Sequence, residues 1–229
     1  MIDFDGRFVA GDGDENKDDK DETKDSKKDK KSRAAQRILF ESRTILLFGE
    51  INEKAARETC GQLIAMGEES DEPIRLVISS PGGHVESGDA IHDMIRFVAA
   101  PVKVIGTGWV ASAGAHIYLS ADKDNRYCTP NTRFLLHQPM GGIGGKATEI
   151  DIEAKEMLKM RDRLNKVIAD ETGQPVERVA KDTDRNYWMG PEEAKEYGIV
   201  AHIVDRSTRS AERLHSPSMR LSVRNSLTR

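Results

Sequence analysis

The sequence predicts an α/β fold, and three observations predict it. Short β-rich apolar runs recur from Thr44 to Val204, helical patterns with one apolar face separate them, and small-residue turns sit where strand gives way to helix. A single domain accounts for the length: 229 residues with 37% hydrophobic and 32% charged residues suit one core plus tails.

The elements follow in order. Thr44 to Phe48 reads as a strand, a helix runs from Asn52 to about Met66, and Ile74 to Ile78 reads as a second strand. In that helix Ala56, Cys60, Leu63 and Ile64 share a face while Glu53, Lys54 and Glu58 fall elsewhere, so one side packs and the other meets water. The pattern repeats in a helix near Gly88 to Val98, striped by Ile91, Met94, Ile95 and Val98, followed by a strand from Val102 to Ile105. Two βαβ crossovers are expected. A buried helix begins after Ala111, and the strand Arg133 to Leu136 leads into His137, a Pro-containing loop and the Gly-rich run GGIGGKA. From about Thr148 to Glu171 apolar positions recur at helical spacing for some six turns, a helix long enough to overhang a core of this size and so to reach another subunit. The last helix starts at Gly190-Pro191-Glu192-Glu193, with Pro and acids in its first turn, and stops at Gly198. A strand over Ile199 to Val204 completes the domain, which spans 37 to 205.

Residues 12 to 33 are almost all Asp, Glu, Lys and small polar residues, too little apolar surface to offset ordering, so 1 to 36 is expected to be a disordered charged tail. From 206 to 229 an Arg/Ser-rich stretch without sustained period reads as a second flexible tail. The net charge of -4 argues against nucleic acid as a partner. No apolar run approaches the ~18 residues of a membrane span, and the N-terminus lacks an apolar signal region, so a cytoplasmic protein is expected. Cys60 and Cys128 lack metal-site spacing and read as reduced structural thiols; no metal or cofactor is expected.

Three elements carry chemistry. Ser112 lies in GTGWVASAGA, between a strand and a helix, where a serine is exposed by the turn and the amide of Ala113 points outward without an intrahelical partner. The alternative is a plain N-cap serine. Ser79-Ser80-Pro81-Gly82-Gly83 follows an apolar strand, and its glycines let backbone approach a ligand, which makes the Gly83 amide a second oxyanion donor; the alternative is a simple strand-to-helix turn. His137, ending a strand, suits a general base because imidazole titrates near neutrality, or else is structural.

SSPGG, WVASAGA, LLHQP, GGIGGKATEIDIEAKEMLKMRDRLN and DTDRNYWMGPEEAKEYGIVAHIV stand in that order between Ile38 and Val204. Over this span the sequence closely resembles the proteolytic subunits of the ATP-dependent Clp protease. The resemblance implies a crotonase-like superhelix of βαβ units with a protruding strand-helix handle at about 139 to 171. It implies a serine peptidase with Ser112 as nucleophile, His137 as base and the Gly83 and Ala113 amides as oxyanion hole. It further implies two stacked heptameric rings enclosing a chamber, with an unfoldase ATPase feeding in unfolded polypeptides. A strand over Gly141, Gly142, Ile143 and Gly144 would hold substrate through backbone hydrogen bonds. Asp184 and Arg185 match the family's charged pair at the ring-to-ring contact.

Two departures stand out. Asn186 occupies the place of the family's triad aspartate; an amide orients an imidazole but lacks the charge that stabilises imidazolium. The charged tail before Ile38 replaces the family's axial-pore segment. The rival readings are a weakly active or inactive structural subunit of a ring mixed with a paralogue, and a crotonase-like acyl-CoA enzyme, which would need pocket carboxylates instead of a Ser/His pair.

Overall fold

The computed structural model describes residues 33–205, and it divides at Ser42 into two units. In the first, residues 33–41 form helix α1, closed by Ser42, whose amide donates to the Ile38 carbonyl at 2.9 Å. Ala, Arg, Gln and Leu in this stretch are strong helix formers, so 33–36, expected within a disordered tail, are helical. The rest of both expected tails lies outside the described residues.

In the second unit β1 (Thr44–Phe48), α2 (Glu53–Glu69), β2 (Ile74–Ser80), α3 (Val85–Phe97) and β3 (Val102–Ala111) make the two expected βαβ units, with β1, β2 and β3 parallel neighbours. Alternate residues of β2 (Ile74, Leu76, Ile78) and β3 (Val102, Val104) are buried, each contributing about 1.5–3 kcal/mol of hydrophobic stabilisation. Asn52 caps α2 by accepting from the Ala55 amide at 2.9 Å. Helix α3 begins at Val85, three residues before its expected start.

β3 differs most from expectation: it does not end at Ile105 but runs through Gly106 and Gly108 to Ala111. The register against β2 passes from Ile78↔Gly106 to Ser80↔Val110, so β3 carries extra residues there, with Gly108 at φ 61. Glycines inside a strand marked a bulge, not its end. The bulge separates two partners: Val104 to Gly106 pair with β4 (Arg126–Cys128), and Trp109 to Ala111 pair with β5 (Arg133–Leu136).

Beyond β3 come α4 (Ala113–Tyr118), a 3-10 turn at Lys123–Asn125, β4 and β5, then α5 (Ala147–Thr172), α6 (Val176–Asp182), β6 (Tyr187–Met189), α7 (Pro191–Tyr197) and β7 (His202–Ile203). The expected strand over Ile199 to Val204 is only β7, parallel to β4; Ile199 and Val200 are instead buried against the end of α7. Helix α7 has the predicted start and stop, with the Gly190 amide donating to Glu193 at 2.8 Å and Gly198 at φ 97, where a Cβ would meet the Thr172 carbonyl at 2.2 Å.

The long helix forms as expected, 26 residues closed by Gly173 at φ 78. Its buried residues are Asn165, Ile168, Ala169 and Thr172, all in the last third; Ile150, Ile152 and Leu158 remain exposed. At its base Glu171 receives Arg126, whose guanidinium is fully buried and also donates to the carbonyls of Leu119, Ala121 and Glu171. Cys60 and Cys128 are free thiols, and burial pushes Cys128 up to about 12. Among the described residues no helix is long and apolar enough to cross a membrane.

Candidate active site

Ser112 follows the last residue of β3 and precedes the first of α4, with φ 54 and ψ -122. A non-glycine residue held at positive φ costs about 1–3 kcal/mol and persists only where its surroundings fix it. Here they do: the Ser112 amide donates to the Leu135 carbonyl at 2.9 Å, and its carbonyl accepts from the amides of Ala115 and His116 at 2.9 and 3.1 Å. The side chain makes no capping bond, so the N-cap alternative does not hold and the hydroxyl is left for other work. Gly82 packs directly on this turn: a Cβ there would lie 2.6 Å from the Ser112 Cβ and 2.9 Å from the Ala111 carbonyl oxygen. The SSPGG segment, which turns the chain from β2 into α3, thus also packs on the turn at Ser112.

Sheet register brings the remaining groups in. Ala111 pairs with Leu135 on parallel strands, so Ser112 and His137 emerge side by side from the ends of β3 and β5. Leu136 pairs with Tyr187 on antiparallel β6, which sets His137 opposite Asn186. His137 Nδ1 and Asn186 Oδ1 are 3.0 Å apart. An amide oxygen only accepts, so Nδ1 carries the proton in this bond and Nε2 of the neutral ring keeps its lone pair. That is the tautomer a general base needs.

Ser112 and His137 line one cavity, whose other walls include Val85, Leu136, Leu164 and Ile168. Catalytic hydrogen bonds commonly tighten only around substrate, and among the described residues the Ser112 hydroxyl has no hydrogen-bond partner. The hydrogen bonds around the turn leave the amides of Gly83 and Ala113 without an acceptor among the described residues, and the Cβ position at Gly82 is 3.1 Å from the Ala113 nitrogen. The cavity thus holds a hydroxyl, an imidazole and the Ala113 residue whose N–H is unpaired among the described residues, a set able to attack a carbonyl and donate to the resulting oxyanion.

The expected substrate strand is absent: Gly141, Gly142, Ile143 and Gly144 pair with no strand and are exposed. A strand exists by its ladder, and among the described residues no neighbouring strand offers one. Asp184 and Arg185 are both exposed, 3.7 Å apart as an ion pair, and Gln138 donates to the Asp184 carbonyl at 2.9 Å.

A polar cluster next to Ser112 has little signature in the sequence. His116 Nε2 lies 2.9 Å from Asp89, Arg163 grips the same carboxylate at 2.9 and 2.7 Å, and the His116 ring stacks on His92 with centroids 4.4 Å apart. Burial alone would raise the Asp89 pKa, but hydrogen bonds from His116 and Arg163, with their charges, hold it well below the usual carboxylate range. The one available signal was His116 standing four residues after Ser112, on the same helical face.

Comparison with known proteins identifies the family. A family described as Clp protease matches residues 26–207. The proteolytic subunit 2 of the ATP-dependent Clp protease of Gluconobacter oxydans is 61% identical over 172 residues, covering 74% of this chain and 77% of that one. Subunit 3 from Rhizobium etli is 58% identical over 166 residues, covering 72% and 86%. An Asn-to-Asp mutant of ClpP1 from Listeria monocytogenes superposes with a TM-score of 0.71 at 50% identity, covering 76% of this chain and 98% of that one. The chain therefore belongs to the Clp protease family, among its proteolytic subunits, and is a serine endopeptidase.

Proposed function

We propose that this chain hydrolyses peptide bonds of unfolded polypeptides with Ser112 as nucleophile, His137 as general base and Asn186 as the group that orients His137. Ser112 Oγ attacks the carbonyl carbon while His137 Nε2 takes its proton; the same proton then goes to the leaving amine, and an acyl-enzyme remains. Water, deprotonated by His137, releases the new carboxyl end and regenerates the serine. The amides of Gly83 and Ala113 stabilise the tetrahedral oxyanion in each half. The observation that carries this reading is the 3.0 Å contact from His137 Nδ1 to the Asn186 oxygen, because it leaves Nε2 basic on the wall of a cavity shared with Ser112.

Residues Gly141, Gly142, Ile143 and Gly144 hold extended substrate, taking up strand geometry only with a partner. The chain assembles into heptameric rings stacked in pairs, through the exposed first two thirds of α5 together with Asp184 and Arg185. A Clp-family unfoldase ATPase supplies the substrate, in the cytoplasm. Exposed Ile150, Ile152 and Leu158 on an unburied stretch of helix support the assembly.

A fluorophosphonate probe tests the catalytic reading. Assembled wild-type protein should be labelled and Ser112→Ala should not. An unlabelled wild type would remove the active-enzyme reading. The second reading, a structural subunit of a ring mixed with a paralogue, draws on the missing carboxylate at Asn186; co-purification with an active paralogue whose proteolysis survives Ser112→Ala would support it.

A further inference from the structure

Two residues two positions apart in α5 each end a chain of hydrogen bonds that leads to one half of the proposed catalytic pair. Arg163 grips both oxygens of Asp89 on α3, at 2.9 and 2.7 Å. Asp89 also binds His116 Nε2 at 2.9 Å, and the His116 amide donates to the Ser112 carbonyl at 3.1 Å. His116 is 6% exposed and stacked on His92, so this chain of contacts is packed on its flank.

The second chain starts at Asn165, 5% exposed, whose Oδ1 shares the Thr183 hydroxyl proton with the Val179 carbonyl, each acceptor at 2.9 Å. The Thr183 carbonyl accepts from the Gln138 amide at 2.7 Å, and Gln138 Nε2 donates to the Asp184 carbonyl at 2.9 Å. Gln138 follows His137, and Asp184 stands two residues before Asn186. The strand end that carries the base and the loop that carries its orienting amide are thus tied together and to α5.

We propose that Arg163 and Asn165 are positioning residues for peptide-bond hydrolysis: one turn of α5 sets the separation of Ser112 from His137 by holding the Asp89–His116 branch and the Thr183–Gln138 branch at once. The physical argument is one of tolerance. Nucleophile and base stand on different strands, the hydroxyl has no hydrogen-bond partner among the described residues, and a displacement of about 1 Å between reacting groups costs roughly a hundredfold in rate. Charge-assisted bidentate pairing at Asp89 and a buried hydroxyl-to-amide bond at Asn165 are the kinds of contact that hold such a separation. The inference rests on Ser112 and His137 being the reacting pair.

The test uses the full-length assembled protein with Arg163→Gln, Thr183→Val and Thr183→Ser. Rates come from a fluorogenic peptide and from fluorophosphonate labelling, and native mass and far-ultraviolet circular dichroism are followed in parallel. Arg163→Gln and Thr183→Val should each lower kcat by roughly tenfold to a hundredfold, with KM within about twofold and native mass unchanged. Thr183→Ser, which keeps the hydroxyl, should restore most of the rate. A wild-type kcat in both loss variants would overturn the proposal. So would a rate loss that tracks disassembly, or one that Thr183→Ser fails to repair. Failure of the wild type to label would instead refute the catalytic reading beneath it.

Discussion

Replacing Asn186 by Asp should raise the turnover of this enzyme. His137 and Asn186 already meet at 3.0 Å with the amide oxygen as acceptor, so the substitution keeps the acceptor, the distance and the tautomer and adds a negative charge. That charge faces the imidazolium that exists only while the proton is on loan. For charge centres roughly 4 Å apart the attraction is about 1 kcal/mol in water and about 4 kcal/mol at the effective dielectric of a protein surface. Asn186 is exposed and His137 partly buried, so the gain lies between these limits. At about 1.4 kcal/mol per decade of rate, a gain of about 1.4–2.7 kcal/mol is a tenfold to hundredfold rise in kcat. A carboxylate also removes the flipped state, in which an amide NH2 would face Nδ1 and select the unproductive tautomer. Because the interaction belongs to the transition state, KM should stay within about twofold. Steady-state cleavage of a fluorogenic peptide by wild type, Asn186→Asp and Asn186→Ala measures this, with Asn186→Ala slowest. If Asn186→Asp turns over at or below the wild-type rate in an intact assembly, the orienting role is wrong.

Gly82→Ala should abolish most labelling by a fluorophosphonate, because its Cβ would stand 2.6 Å from that of Ser112 at a backbone φ of +95; normal labelling would show that the SSPGG turn does not shape the nucleophile. Cys128, pushed up to about 12 chiefly by burial, should resist iodoacetamide at neutral pH until the chain is unfolded, as peptide mapping would reveal. Removing the partner of the buried Arg126 by Glu171→Ala leaves a guanidinium without its counter-charge and should cost about 3 kcal/mol in a denaturant titration, whereas Arg126→Met should cost less. Asp89 has a depressed folded pKa, so its stabilising contribution is complete above the unfolded carboxylate value and is lost as pH falls below about 4; Asp89→Asn should flatten the acid limb of the stability profile in that window.

What was legible in the sequence was whatever a short window contains. The apolar alternation of Ile74, Leu76 and Ile78 and the Pro-to-Gly bracket of α7 each follow from residues within a few positions of one another, whereas the expected face of α2 is only partly right: Ala56 and Leu63 are buried, but with Thr59 and Met66, and Ile64 is exposed. Ser112, Gly83 and His137 stand out in the sequence because each follows such an element, whereas Asn186 enters only through the resemblance to a family. The bulge in β3 is not legible locally, because Gly106 and Gly108 weaken a strand pattern whether they end it or bend it, and only pairing to β2 and β5 distinguishes the two. Three-residue β4 and β6 are too short for any period, although β6 sets Asn186 against His137. Helix α6 carries a weak signal, Val176 and Val179 after Pro175, too short to set a period.

The contacts least visible in sequence are those that join the site into one object. Asp89 and Arg163 are 74 positions apart, and Gln138 and Asp184 are 46. No local pattern distinguishes Arg163 from Arg161 on the same helix, yet Arg161 pairs with its neighbour Asp162 while Arg163 reaches across to Asp89 on α3. The difference is a matter of helical phase relative to elements the window does not contain. Catalytic identity is carried by residue type at strand ends and so survives in sequence; catalytic distance is carried by tertiary register, which is why substitutions in α5, remote from Ser112 in the chain, are the more discriminating probes of this site.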